Sequence, residues 1–535
     1  MTNTFTNLCD VSKRHILAIL CALLCGALVL APQIIFIVHE GNHYKGLYMM
    51  KTEAEWYYLA RMHEIYDEGR IGNPFLADPY KFYGPLSVSP GGETILAIPG
   101  KLLNISVPTL NLVYKFLLPA ITFLLLYALI FRLTASFSWS IAGALMFLVG
   151  STWLYAVNLS HLLRGDMGFF DGFVYNRPVH PQFDGVLTFL YFNVLLSLFT
   201  SRNVRWFVVL GALLGLSFYT YLYSFTFFLA LNFVVVLPWF FFGKKREAWY
   251  LVLATVGGLL AGLPALGAIY ETIKHPDYAL LAETVHSEMG HLPEISKNGV
   301  AVSFLFAVYF FFTKGRQAVG TAREHLLFLM ALLFTTFVVV NQQVVTGVSL
   351  FSGHYHHNFN IPIFVVVLAF LASTAVSRLE FFRPNFVKMF RILPWVLSAV
   401  FIATGVFIQY SSYKNWAPQT STEQKYMPAL SWLEQNTPKD SVVMANEQLS
   451  DIIPVFTHDN DMWSRGATNY LMPPERAHFT PENLLQSKNF LHDIKQYRVD
   501  YILWDKTADP SWNIDRFHLP TLFSSEGMAI SQLPK

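Results

Sequence analysis

The chain has 535 residues, 54% of them hydrophobic and only 13% charged, with 48 Phe, 26 Tyr and 12 Trp. That share of charge is about half of what a soluble domain uses to cover its surface, so a wholly soluble protein is excluded. A net charge of +2 gives no reason to expect a nucleic-acid partner, and the three cysteines, Cys9, Cys21 and Cys25, leave the rest of the chain without a disulfide framework.

In chain order, eleven apolar runs lie near 16–38, 108–131, 137–157, 182–200, 205–220, 223–242, 248–270, 299–313, 325–341, 359–377 and 392–410. A helix crossing a hydrocarbon core of roughly 30 Å needs about 20 such residues. The expected fold is therefore an α-helical polytopic membrane protein of about eleven transmembrane helices, with the lipid bilayer as its solvent. The stretch Phe207 to Phe242 is too long for one span and is divided at the polar aromatic cluster Tyr219–Ser224. The first run exceeds an ordinary signal-peptide core and has no clear small-x-small site before His39, so it reads as an uncleaved anchor.

Lysine and arginine set the orientation. With the N-terminus inside, the inner connections hold Lys13 and Arg14, Arg132, Arg202 and Arg205, the run Lys244-Lys245-Arg246, then Lys314, Arg316 and Arg323, and finally Arg378, Arg383, Lys388 and Arg391. Every second connection is basic. The expected placement is multi-pass in a bacterial inner membrane, with a cytoplasmic N-terminus and a periplasmic tail.

Three outer segments are long enough to carry chemistry. The first, residues 39–107, begins with the stretch Glu53 to Glu68, in which Trp56, Leu59, Met62 and Ile65 recur at helical spacing. This pattern predicts an amphipathic helix along the membrane surface, its apolar face in the headgroup boundary. A Gly/Pro-rich loop, Gly69 to Gly100, follows. The second segment, Asn158 to Gln182, holds Arg164, Asp166, Asp171, Arg177 and His180; the third, Glu271 to Lys297, mixes histidines with glutamates.

Beyond Tyr410 the composition changes. A helix at Met427–Gln435, a strand at Ser441–Ala445, a helix at Pro481–Gln496 and a strand at Tyr501–Trp504 predict a soluble α/β domain. The expected domains are 1–410 and 411–535. No glycine-rich phosphate loop joins strand to helix there.

The apolar runs hold few ionisable residues, and the charges gather in the outer segments and at span ends. A transport path puts polar groups mid-span, so the pattern favours a site at the outer interface, within reach of a lipid headgroup. Glu53 and Glu55 suit a general base for an acceptor hydroxyl, and Arg61 suits a phosphate; solvated charges on a surface helix are the plain alternative. Arg177, His180 and Gln182, where the chain re-enters the bilayer, suit a phosphate at a helix entrance, with Asp171 close by in sequence; interfacial snorkelling is the alternative. His354, His356 and His357 stand together in Gly353-His354-Tyr355-His356-His357-Asn358. With no carboxylate or thiolate complement nearby, interfacial packing and substrate hydrogen bonding suit them better than a metal.

This arrangement resembles the GT-C superfamily of membrane glycosyltransferases, especially bacterial relatives of the protein mannosyltransferases and the aminoarabinose transferases. The likeness rests on a first span, a long outer loop with early acidic residues, an E-x-W-Y-Y-L-A-R-like helix in the stretch Glu53-Ala54-Glu55-Trp56-Tyr57-Tyr58-Leu59-Ala60-Arg61, many further spans and an α/β tail. It implies an inverting glycosyltransferase that takes a sugar from a polyprenyl-phosphate donor. Glu53 or Glu55 would be the base, where the family often has an Asp-Glu pair and this chain has Glu-Ala-Glu. Arg61, Arg177, His180 and Gln182 would attend the donor phosphate. The acceptor, whether glycan, lipid or protein, is not specified. The chemistry requires no cofactor, and a divalent cation stays open as an addition. The competing readings are a transporter or flippase for a lipid-linked sugar and a non-catalytic envelope-assembly scaffold.

Overall fold

In a computed structural model, residues 2–50, 53–67, 71–86, 89–201, 203–284, 288–312, 320–382, 384–477 and 480–534 are described. Among them eight helices are long and apolar enough to cross a membrane: His15–His43, Val107–Thr134, Pro178–Ser201, Leu222–Phe241, Lys245–Lys274, Gly320–Thr346, Ser352–Arg378 and Phe390–Glu423. Three shorter apolar helices, Phe137–Leu148, Val204–Ser217 and Lys297–Phe312, take the remaining expected runs. Each of the eleven runs thus falls on a helix, and the division at Tyr219–Ser224 falls between Val204–Ser217 and Leu222–Phe241.

By internal contacts the chain divides into two compact units. The first comprises Met1–Pro32, Val113–Leu263 and Glu288–Ser412; the second comprises Gln33–Leu112, Pro264–Ser287 and Tyr413–Lys535. The expected domain boundary at 410/411 lies inside the helix Pro384–Glu423.

The first unit is helical, with one two-residue ladder in which β1 (Glu288–Met289) pairs antiparallel with β2 (Val348–Ser349). Its interior is aromatic: Tyr191 stacks on Phe228 at 3.9 Å and Phe227 on Phe359 at 4.5 Å. Tyr191 and Asn232, buried there, find partners. The Tyr191 hydroxyl donates to Asn232 Oδ1 at 2.7 Å, and Asn232 Nδ2 donates to Thr255 Oγ1 at 3.0 Å. Gly211 and Gly258 let two helices touch through their backbones, since a Cβ at Gly258 would sit 2.9 Å from the Gly211 carbonyl oxygen. Two charges lie buried within span helices, Lys115 and Asp184, where the apolar runs had suggested almost none. A single charge does little to the mean hydropathy of a span, so it is easily overlooked in such a run.

The second unit is built on a five-stranded mixed sheet of order β4-β3-β5-β7-β6, with β3 at Val442–Met444, β4 at Asn460–Asp461, β5 at Tyr501–Asp505, β6 at Thr521–Ser525 and β7 at Met528–Gln532. Strands β3, β4 and β5 run parallel, and β7 is antiparallel to both β5 and β6. Successive side chains alternate between two buried faces. Val443, Tyr501 and Leu503 join Leu430, Leu433 and Ile453 on one, while Val442, Met444, Ile502 and Trp504 join Leu484 and Phe490 on the other. Burial on both faces is why β3 and β5 read as unbroken apolar runs.

The expected α/β tail is present, with two differences. The long helix expected over Pro481–Gln496 is broken into Pro481–Leu485, Phe490–Asp493 and a turn at Ile494–Tyr497. Ser487 accounts for the break, because its hydroxyl donates to Asp493 and accepts from the Asn489 amide at 3.1 Å, drawing the backbone out of the helix. The β6–β7 hairpin was not anticipated. Its two-residue turn, Glu526-Gly527, has φ of 52° and 81°, the geometry that matches strand twist, yet Glu is not a residue that announces such a turn.

The helix Glu53–Asp67 does not lie with its apolar face in a headgroup layer. Leu59, Met62 and Ile65 are buried by protein within the second unit, and Trp56 packs on the β-sheet core beside Leu47 and Met50. The Lys101 ammonium donates to the Ile65 carbonyl at 2.8 Å and caps the helix end. Amphipathic spacing specifies that one face is covered, not whether lipid or protein covers it.

Candidate functional site

Two polar constellations, one in each unit, gather most of the residues that the sequence singles out. In the second unit, the helix Glu53–Asp67 carries Glu55 on its buried side, with 2% of the residue exposed. Asn111 Nδ2 donates to Glu55 Oε1 at 2.8 Å and lies 2.9 Å from the Tyr48 hydroxyl. The amide therefore fixes a buried carboxylate, which is how a positioned base or a structural anion is held. Glu53 opens the same helix, but its side chain lies outside the described residues. Arg61, two turns on, is fully buried, with its Nη1 at 3.2 Å from Glu93 and its guanidinium 5.6 Å from the centre of the Tyr57 ring. The Arg61 charge is thus met by protein within its own unit.

In the first unit the chain enters the span Pro178–Ser201 through an irregular turn, with His180 extended at φ −130° and ψ 126°. Nδ1 of the His180 ring makes a very short hydrogen bond with Asp184 one turn on. A face of the ring stacks on Tyr221, centroids 4.6 Å apart. Tyr221 accepts from Asn358 Nδ2 at 3.2 Å and shares a hydrogen bond with His354 Nδ1 at 2.6 Å. Gln182 Nε2 donates to the Tyr175 carbonyl at 3.0 Å, and the Tyr175 hydroxyl donates to the Asn358 carbonyl at 3.3 Å. Burial raises the Tyr175 hydroxyl well above its usual range, with Asp184 adding to the effect, so it serves as a donor.

A wide, π-type turn over His356–Asn360 brings the histidine cluster to the same network. His356 Nε2 faces Glu294 at 2.8 Å, and its Nδ1 receives Asn360 Nδ2 at 3.2 Å. His357 Nδ1 shares a short hydrogen bond with the Tyr155 hydroxyl. Arg177 is half-buried, and its carbonyl accepts from the Gln182 amide at 3.2 Å. Asp171 is exposed, its carbonyl accepting from Ser412 Oγ at 3.0 Å. Among the described residues no group of three or more His, Cys, Asp or Glu side chains is disposed to hold a metal ion.

Sequence reasoning therefore found His180, Gln182 and His354 separately, and the fold brings them into one network. It missed Asp184, Tyr221, Asn358 and Tyr175. The spacing His180 to Asp184, i to i+4 at a helix entrance, was the available signal for the dyad. Tyr221 was visible only as a break between spans. A separate small cleft lies in the second unit among His63, Glu64, Lys81, Asp440, His458 and Asp459, and neither Glu55 nor Arg61 lines it.

Neither a protein-family model nor a curated protein sequence matches this chain. Among solved structures, ArnT from Cupriavidus metallidurans bound to undecaprenyl phosphate aligns over 98% of this chain and 98% of its own, with 11% identity and a TM-score of 0.50. The oligosaccharyltransferase AglB from Archaeoglobus fulgidus, solved with an inhibitory peptide and a dolichol-phosphate, aligns over 93% of this chain and 70% of its own, with 14% identity and a TM-score of 0.45. At such identities the end-to-end likeness to ArnT is one of fold: the chain is a multi-pass membrane protein with the fold of the GT-C membrane glycosyltransferases.

Proposed function

We propose that the protein is an inverting glycosyltransferase that moves a sugar from a polyprenyl-phosphate donor to an acceptor hydroxyl at the outer face of an inner membrane. The observation that carries this reading is the fold shared over the whole length with an enzyme solved around undecaprenyl phosphate. The buried, amide-held carboxylate of Glu55 supports it, lying between the first two spans. Fold alone supports a class of chemistry only by analogy, so the residues must supply the roles.

In the proposed reaction Glu55, or Glu53 on the same helix, takes the proton of the acceptor hydroxyl. The freed oxygen attacks the anomeric carbon as the bond from that carbon to the phosphate oxygen breaks, and polyprenyl phosphate departs with the bonding pair. Basic side chains are proposed to meet the charge gathering on that phosphate. The N-terminus is placed in the cytoplasm and the second unit outside, on the distribution of lysine and arginine.

The test is to incubate the purified chain in lipid with a panel of polyprenyl-phosphate sugars and an envelope extract, and to measure released polyprenyl phosphate. Release by the wild type that is lost in Glu55→Gln or Glu53→Gln supports the reading and selects the base; no release from any donor overturns it. A flippase for the same lipid is the second reading, favoured by the buried charges Lys115 and Asp184 in span helices. It predicts movement of the donor across proteoliposome membranes without release.

A further inference from the structure

The network in the first unit contains two amide oxygens that no protein group satisfies. Gln182 Oε1 and Asn360 Oδ1 are both buried, in residues 1% and 0% exposed, and neither has a hydrogen-bond partner. Their identity as oxygens follows from the partners of the nitrogens. Gln182 Nε2 donates to the Tyr175 carbonyl, which only an N–H can satisfy. With the ring proton of His356 on Nε2, toward the Glu294 carboxylate, Nδ1 accepts from Asn360 Nδ2. Turning the Gln182 amide over would set oxygen against an acceptor.

The two belong to one network. Tyr175 links the Gln182 amide to Asn358, and Asn358 shares the π-type turn with Asn360 and donates to Tyr221. Ser224 Oγ, near Tyr221, and Thr122 Oγ1 are likewise buried without a partner. Native proteins rarely leave such groups unmet, and several together in an apolar helical unit mark a place that a ligand completes.

The chemistry of the ligand follows from the sign. Amide oxygens, with the Asp184 carboxylate nearby in the chain, repel a phosphate and call for hydrogen-bond donors. We infer that Gln182 and Asn360 form a subsite for the hydroxyl groups of the donor's sugar ring, so that Gln182 recognises the sugar and not, as its place at the span entrance suggested, the phosphate. The inference rests on the glycosyltransferase reading for the identity of the ligand and on the unmet oxygens for its location.

Binding of the full-length protein in nanodiscs to undecaprenyl-phosphate glucose, galactose, mannose and arabinose, and to bare undecaprenyl phosphate, tests it. The wild type should bind at least one sugar-bearing lipid about tenfold or more tightly than the bare lipid, the factor expected for one good hydrogen bond to a buried acceptor. Gln182→Met and Asn360→Leu should each bring that preference close to one while leaving affinity for the bare lipid unchanged. Thermal unfolding identifies a variant that fails to fold, and the other then carries the measurement. Unchanged preference in both variants, meaning that the oxygens face only water, overturns the inference, as does a wild type with no preference for any sugar. Preference that depends on these residues without release of polyprenyl phosphate sinks the transferase reading and leaves the subsite standing; release that is indifferent to both substitutions does the reverse.

Discussion

The imidazole of His180 lies flat on the phenol ring of Tyr221, with centroids 4.6 Å apart and planes 24° apart, while Asp184 holds its Nδ1. The Tyr221 hydroxyl, at the far end of that ring, accepts from Asn358 and is hydrogen-bonded to His354. One ring thus supports a histidine by its face and orders two other groups by its edge. Tyr221→Phe keeps the stacking and removes both hydrogen bonds, so transfer from a polyprenyl-phosphate sugar should fall on the order of tenfold, in line with about 1 kcal/mol per bond. Tyr221→Ala should lose far more. An unchanged kcat/KM in Tyr221→Phe would show that the hydroxyl does nothing, and equal losses in the two variants would show that the ring stacking does nothing.

For Glu55 the expected outcome is sharper. Glu55→Gln preserves shape and the Asn111 contact at the other oxygen but removes the base, and turnover should drop by about 10²–10⁴-fold with folding unchanged. Asn111→Leu leaves the carboxylate in place without its anchor and should cost on the order of tenfold. Full activity in Glu55→Gln with loss in Glu53→Gln assigns the proton transfer to Glu53.

Arg61 and Glu93 form a buried ion pair between the helices Glu53–Asp67 and Gly91–Leu103. Removing one partner strands a charge, so Arg61→Met should destabilise the second unit by on the order of 3–5 kcal/mol. The pair Arg61→Met with Glu93→Leu should recover most of that in a thermal melt and should retain donor affinity. A double variant that is stable yet has lost affinity for undecaprenyl phosphate would restore Arg61 as a phosphate ligand.

Stability should also depend on pH through Asp459. Burial pushes its carboxyl up to about 7, although the Thr437 hydroxyl, at 2.8 Å, and His458 pull it down. A carboxyl whose folded pKa exceeds its unfolded value of about 3.9 binds more protons in the folded state. Its favourable contribution is complete below about pH 4 and is lost as pH rises through about 7. The melting temperature, followed through the second unit's tryptophans, should fall between pH 5 and pH 8, and Asp459→Asn should flatten the slope. A slope untouched by Asp459→Asn assigns it elsewhere.

The spans were legible because a membrane helix must be apolar for about 20 residues regardless of what it packs against. The strands at Val443 and Ile502 were legible for a similar reason, being buried on both faces. What escaped depended on long-range partners. Nothing local to Tyr221 announces that His180 and His354, 41 residues before it and 133 after it, meet at its ring, since residues distant in sequence leave no spacing to read. Asp184 was lost in a run of apolar neighbours, and the covering of Leu59 and Met62 by protein was indistinguishable from covering by lipid. Glu55 and Gln182 were found as residue types at suitable places, but the amide that anchors one and the unmet oxygen that distinguishes the other belong to the fold.

The second unit is made from three separated stretches, 33–112, 264–287 and 413–535. Leu47, Met50 and Trp56, flanking and entering the helix that bears Glu55, share a core with Leu430, Val443, Leu503 and Ile530. A nascent chain therefore cannot seal that core until its last hundred or so residues have left the ribosome and reached the same compartment. The helix proposed to perform catalysis is among the earliest parts synthesised and among the latest to be fixed. Such an order of assembly leaves the helix bearing Glu55 unfixed in an unfinished chain, and it means that a chain stopped after residue 412 would lose not only its tail but the fold around Glu55.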